Sequence, residues 1–106
     1  MKLYVVVRSD LAPGLQIAQS GHALVAFQHE HASTYEEWHR SSNNLVCLSV
    51  KGKGELAKLA YDLTCRGVEV SLFREPDLGD EPTAIAVAPS GGKMLSTLPL
   101  ALRQAA

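Results

Sequence analysis

Apolar positions along the chain fall into short continuous runs and helical stripes, and their order predicts the fold. Leu3–Val7 is a continuous, β-branched run, as expected of a strand buried on both faces. Arg8–Gly14 breaks it with Pro13 and Gly14. Residues 14–31 hold no proline and are rich in Ala, Leu and Gln, which favours helix. Leu15, Ala18, His22 and Val25 share a stripe of that helix and are expected to pack on a sheet. Gly21, with small Ser20 and Ala23 nearby, predicts close approach to a neighbouring backbone. A second helix is expected from Ser33 or Thr34, because Ser33…Glu36 and Thr34…Glu37 match the capping-box pattern. It ends in the polar run Ser41–Asn44, with Trp38 as its anchor.

Leu45–Val50 is the second strand and Lys51–Gly54 the turn after it. Leu56, Leu59, Ala60 and Leu63 give a third helix its stripe, and Gly67 ends it. Val68–Arg74 and Thr83–Ala88 are the third and fourth strands. The intervening residues 75–82 are too few for a helical crossover, so these strands run antiparallel if adjacent. A last short helix follows Pro89 and is interrupted near Pro99. The order β-α-α-β-α-β-β-α predicts a single α/β domain over residues 1–106. Its architecture is three-layer α/β/α, with a mixed four-stranded sheet, mostly parallel with the last strand antiparallel. Ligands of such sheets favour the crevice beyond the carboxyl ends of the parallel strands. That edge carries Arg8–Gly14, Lys51–Gly54 and Glu75.

Composition narrows the function. With 106 residues, 46% hydrophobic and 20% charged, the chain suits one globular domain. No apolar stretch approaches the roughly 20 residues that span a bilayer, and the N-terminal run is too short for a signal peptide. No membrane partner and a cytoplasmic location are therefore expected. Cys47 and Cys65 read as small buried residues rather than a disulfide or zinc set. The net charge is −1, and residues 54–106 hold five Lys/Arg against seven Asp/Glu. A nucleic-acid partner would have to be held by a local patch.

Candidate chemistry gathers in three places. Gln19 and His22 lie on one face of the first helix with Leu15; His22 suits acid–base work near neutral pH, or is simply a hydrogen-bonded core histidine. Glu75, Asp77, Asp80 and Glu81 place four carboxylates within seven residues. Such a cluster raises one pKa to make an acid or base, or is a solvated turn. Arg8, Lys51 and Lys53 converge at the carboxyl edge, as an anion site or as ordinary surface charge. His22 and His29 stand about 10.5 Å apart along a helix, and His29 and His31 cannot share a helix face, so no metal site is expected. Ser90-Gly91-Gly92-Lys93 lacks the spacing of a phosphate loop.

Val7-Arg8-Ser9-Asp10-Leu11, then Gly14 and Ile17-Ala18-Gln19-Ser20-Gly21-His22-Ala23, resembles the opening signature of type II peptidyl-tRNA hydrolases. That family reads Arg-x-Asp-Leu, then Gly-Lys-x-Ala-Ala-Gln-x-x-His-Ala. The resemblance runs the whole chain: Trp38 precedes the second strand as it does there. Phe73-Arg74-Glu75 stands where the family's strand ends before Asp-Ala-Gly-Arg-Thr-Gln. Thr83–Pro89 is similar to its final strand and exit. Departures are Leu15 at the helix lysine, Glu75 at the loop aspartate, and a shorter acidic loop for Gly-Arg-Thr-Gln, while its threonine is kept as Thr83.

The resemblance implies a divergent, metal-independent hydrolase, without cofactor and usually dimeric. Its substrate is the ester joining a peptidyl or aminoacyl group to tRNA, or a small ester. It assigns His22 and Glu75 to water, and Gln19 and Thr83 to hydrogen bonds with the ester. Arg8, Asp10, Lys51, Lys53 and Asp77 complete the substrate-facing set. The alternative is a non-catalytic binding or regulatory domain that kept the fold and lost the active site. A third reading is a hydrolase or transferase whose small substrate carries a cation suited to the acidic loop.

Overall fold

The β-branched run near the N-terminus forms a central strand. A computed structural model describes residues 1–103. Strand β1 (Lys2–Arg8) buries Leu3, Val5, Val6 and Val7 almost completely, as does β4 (Glu81–Val87) from Thr83 to Val87. The edge strands β2 (Asn44–Val50) and β3 (Val70–Glu75) are only partly covered. The sheet order is β2-β1-β4-β3, with β1 and β2 parallel and β4 antiparallel to both of its neighbours. Three strands thus point one way and the last is reversed, as the sequence predicts. Because β4 inserts between β1 and β3, only one pair is parallel by hydrogen bonding.

Helix α1 (Pro13–Glu30) packs across β4, β3 and β1, with α2 (Ala32–Ser41) against α1. Helix α3 (Lys53–Cys65) covers β4, β1 and β3, giving the three layers. The α3 terminus follows the sequence closely. Gly67 takes φ +78°, Gly67 N–H donates to Thr64 O at 3.0 Å, and Val68 N–H donates to Leu63 O at 3.1 Å. This paired motif closes the last turn and stacks buried Val68 on Leu63.

Several expectations are corrected. The buried stripe of α1 is Gln16, Gln19, Ala23 and Phe27, whereas Ala18, His22 and Val25 are exposed and Leu15 half-buried. Phe27 is the largest fully buried side chain, and both buried amides donate through Nε2, Gln16 to Leu11 O and Gln19 to Glu75, while Gln16 Oε1 has no partner among the described residues. Gly21 lies open, with nothing within 4 Å of the place a Cβ would take, so no backbone approaches it. Helix α2 begins directly after His31 without a side-chain cap. Thr34 Oγ1 instead donates to Glu69, while the His31 ring bridges Glu69 Oε2 and Val70 O, each at 3.1 Å. Cys65 is exposed and Cys47 half-buried. The segment after Pro89 is a 3₁₀ helix, Pro89–Leu95, and the chain then pairs with the free edge of β2. There Ser49 N–H donates to Pro99 O at 3.0 Å, and Ala101 N–H to Cys47 O at 2.9 Å. No described helix is long and apolar enough to cross a membrane.

Two glycines separate packing from backbone freedom. A Cβ on Gly91 would stand 2.5 Å from Val87 Cγ1 and 3.1 Å from Val68 Cγ1, so Gly91→Ala should destabilise by about 1–3 kcal/mol. Gly21→Ala, in an open helix interior, should stabilise by about 0.5–1 kcal/mol. Urea unfolding midpoints of the two variants should move in opposite directions.

Candidate functional site

Arg8 closes β1 as a buried cation, 6% exposed, and a charge removed from water requires partners. Its Nε donates to Asp10 Oδ1 at 3.0 Å and its Nη2 to Asp10 Oδ2 at 2.8 Å, a bidentate fork. Nη1 donates to Glu81 Oε1 at 2.7 Å and to Pro82 O at 3.2 Å. Lys53 Nζ, at the start of α3, reaches Glu81 Oε2 at 3.4 Å. The hydrogen bonds from Arg8 hold the Asp10 and Glu81 carboxyls below their usual range, and Asp10 first and Glu81 next push the guanidinium pKa up. The expected anion-facing trio is therefore rearranged: Arg8 ties β1 to β4 through two carboxylates. Lys51 and Lys53 remain on the solvent side.

A second chain of contacts lies beside this clamp. Thr83 Oγ1 donates to Gln19 Oε1 at 2.6 Å, and Gln19 Nε2 donates to Glu75 Oε1 at 2.8 Å. Thr83 is fully buried and Gln19 is 1% exposed, so the bond between them lies inside the fold, while the bond from Gln19 to half-buried Glu75 carries the chain out to the surface. The sheet creates this alignment by an irregularity. Phe73 pairs with Ala84 and Arg74 with Pro82, which leaves Thr83 as an extra residue between them. Such a bulge re-aims a side chain, here toward α1. Glu75 Oε2 also accepts from the Asp77 N–H at 3.3 Å. Gln19 first and that backbone N–H second hold the Glu75 carboxyl below its usual range, with a further contribution from His22. Glu75 is thereby an ionised acceptor at neutral pH.

His22, one turn after Gln19, stacks on Phe73 with ring centroids 4.6 Å apart and planes at 20°. The stacking fixes the ring of an exposed histidine at the rim of the chain ending in Glu75. The acidic loop is a 3₁₀ turn, Pro76–Leu78, followed by Gly79 and Asp80 in the left-handed region at φ +64° and +61°. Asp77 and Asp80 are exposed there, while Glu81 turns inward to Arg8. Gln19, His22, Glu75 and Thr83 are thus brought together, and Arg8, Asp10, Glu81 and Lys53 form a neighbouring cluster. Lys51 belongs to neither and lines a groove between β2 and α3. Among the described residues, no three His, Cys, Asp or Glu side chains converge as a metal site. The Glu81 anchor and the bulge at Thr83 escaped sequence reasoning. Pro82 was the available signal, since a proline inside a strand marks an edge or a bulge.

Comparison with known proteins gives one family. The family model described as peptidyl-tRNA hydrolase PTH2 matches residues 1–103. No curated protein matches. Among solved structures, the chain is similar to a protein of unknown function from Agrobacterium tumefaciens strain C58, with TM-score 0.66 and 14% identity. The match covers 93% of this chain and 96% of that one, and at this identity it speaks for the fold alone.

The clamp has a pH signature. Asp10, Glu75 and Glu81 hold protons less readily in the folded chain than in the unfolded one. Their contribution is therefore present above the ordinary values of 3.8 and 4.5 and is lost as pH falls through the lower folded values. Arg8→Met should lower stability at pH 7 by about 1–3 kcal/mol, moderated by the solvent exposure of both carboxylates. It should also flatten the acid loss, read as urea midpoints at pH 7 and pH 3. An equal drop at both pH values would exclude the ion pairs as the cause.

Proposed function

The chain belongs to the peptidyl-tRNA hydrolase PTH2 family, and from that premise we propose that it hydrolyses the ester joining a peptidyl or aminoacyl group to tRNA. The observation that carries this reading is the hydrogen-bonded chain Thr83–Gln19–Glu75, which ends in an ionised carboxylate beside His22. Gln19 and Thr83 are positioning residues, since burial keeps both from the ester. They fix the Glu75 carboxylate, which accepts a hydrogen bond from the attacking water. His22 takes the water's second proton as the oxygen adds to the ester carbonyl. As the carbon–oxygen bond to the ribose breaks, His22 returns that proton to the leaving oxygen. A carboxylate held strongly ionised is a poor proton acceptor, and this is why transfer is assigned to His22 and orientation to Glu75.

Lys51 and Lys53 meet phosphates of the acceptor end, while Arg8 and Asp10 hold the site together from beneath. Asp77 acts through its backbone N–H on Glu75. The reading carries with it a cytoplasmic homodimer, for which exposed Ile17 and Val25 on α1 offer apolar surface.

Purified protein should release peptide from peptidyl-tRNA, and Glu75→Gln or His22→Ala should each lower kcat/KM by about 100-fold or more. Thr83→Val should act through Glu75 alone, with a smaller loss that is not added to that of Glu75→Gln in the double variant. Absence of wild-type turnover where another member of the family is active would sink the hydrolase reading and leave the non-catalytic one.

Affinity for tRNA should fall as salt rises, with a log–log slope reduced by about 1 in either Lys51→Ala or Lys53→Ala. An unchanged slope in both variants would remove these lysines from the tRNA interface.

A further inference from the structure

Two side-chain contacts join α1 to the end of β3. Gln19 donates to Glu75 Oε1 at 2.8 Å, and the His22 ring stacks on Phe73 with centroids 4.6 Å apart and planes at 20°. Gln19 and His22 stand three residues apart on the helix, about 4.5 Å along its axis. Phe73 and Glu75 stand two residues apart on the strand and so share one of its faces, the one turned to α1. The proposed proton carrier therefore rests on the same strand that supplies the carboxylate.

Thr83 stands behind both contacts. Its Oγ1 donates to Gln19 Oε1 at 2.6 Å and lies 3.5 Å from Phe73 O. The buried hydroxyl that reaches Glu75 through Gln19 thus also touches the backbone that carries Phe73. The bulge at Thr83 sets the carboxylate and the phenyl ring in one frame.

His22 is exposed, and its ring makes no hydrogen bond among the described residues. A histidine free of partners samples several staggered rotamers. Phe73 is half-buried and packed against the core, so the support is more rigid than the ring it carries. A phenyl face also carries the negative part of a quadrupole and attracts a cation lying over it. Leucine would supply similar bulk without that face.

We propose that Phe73 is a positioning residue for the hydrolysis assigned above. Its ring holds the His22 imidazole in one plane beside Glu75. It also favours the imidazolium during the step in which His22 carries the proton taken from water, before that proton passes to the ribose oxygen as its bond to the carbonyl carbon breaks. The assignment rests on the hydrolase reading and deepens it, because it adds a group that acts on the proton carrier and touches neither water nor ester.

The test combines kinetics with a signal that needs no turnover. Phe73→Leu should lower kcat on peptidyl-tRNA by about 10-fold with KM changed by less than about 2-fold, since the stack acts on His22 and not on substrate binding. Phe73→Tyr keeps the aromatic face and should restore kcat to within about 2-fold of wild type. In a His22→Ala background, Phe73→Leu should cause no further loss. Thermal midpoints of all variants show that they are folded. In the wild type, the phenyl ring current should move the His22 ring-proton resonances upfield, and Phe73→Leu should return them toward those of a free histidine.

Equal kcat in wild type and Phe73→Leu, or equal losses in Phe73→Leu and Phe73→Tyr, would overturn the positioning role and leave the hydrolase reading standing. A further loss in the His22→Ala background would overturn it as well, by showing that Phe73 acts elsewhere. Absence of wild-type turnover would overturn the hydrolase reading instead. Upfield His22 signals that are lost in Phe73→Leu would then still show that Phe73 places the ring.

Discussion

The structure depends on the burial of one positive charge at the end of its central strand. Arg8 sits where β1 leaves the core, and its nearly buried guanidinium is held by the partly exposed carboxylates of Asp10 and Glu81. Asp10 comes from the loop before α1, and Glu81 is the first residue of β4, where the turn from β3 ends. One side chain thereby sets the positions of two loops relative to the sheet. The candidate catalytic residues stand on the elements those positions adjoin: Gln19 and His22 on α1, Glu75 at the end of β3 and Thr83 in β4. An arginine in such a place acts as a fixed structural member, and its planar fork explains why lysine would not serve.

The carboxyl edge consequently divides its charges by depth. Glu81 and Asp10 are drawn inward to Arg8 and Glu75 is fixed by Gln19 and a backbone N–H, while Lys51, Lys53 and Arg74 are among the cations on the solvent side. A loop that reads as strongly acidic in the sequence is therefore less repulsive toward a phosphate chain than its composition suggests. Two of its four carboxylates are already engaged.

Much of the fold was legible because local signals agreed with one another. The Leu3–Val7 run, the short 75–82 connection and Gly67 each allow few alternatives, and each is found as read. The face of α1 was not legible, because its pattern offers two stripes of similar apolarity. The stripe that wins carries Gln16 and Gln19, which are acceptable in a core only when partners wait there. Those partners, Leu11 O, Glu75 and Thr83, lie 5 to 64 positions away in sequence. The same distance hid the two roles of Glu81 and Thr83. Residue types at Gln19, His22, Glu75 and Thr83 marked the place, but only the fold showed that two of the four act on a third.

The extra residue at Thr83 also limits how this hairpin can change. Side chains on a strand alternate with a period of two, so the bulge sets which of the β4 residues face α1 and which face α3. Losing that residue would remove the hydroxyl that donates to Gln19 while leaving Ala84–Val87 in place. Adding one residue to the 75–82 turn could be absorbed only if the turn itself kept the register. The loop is free to vary in charge and sequence, but its length is tied to the parity of the strand that follows.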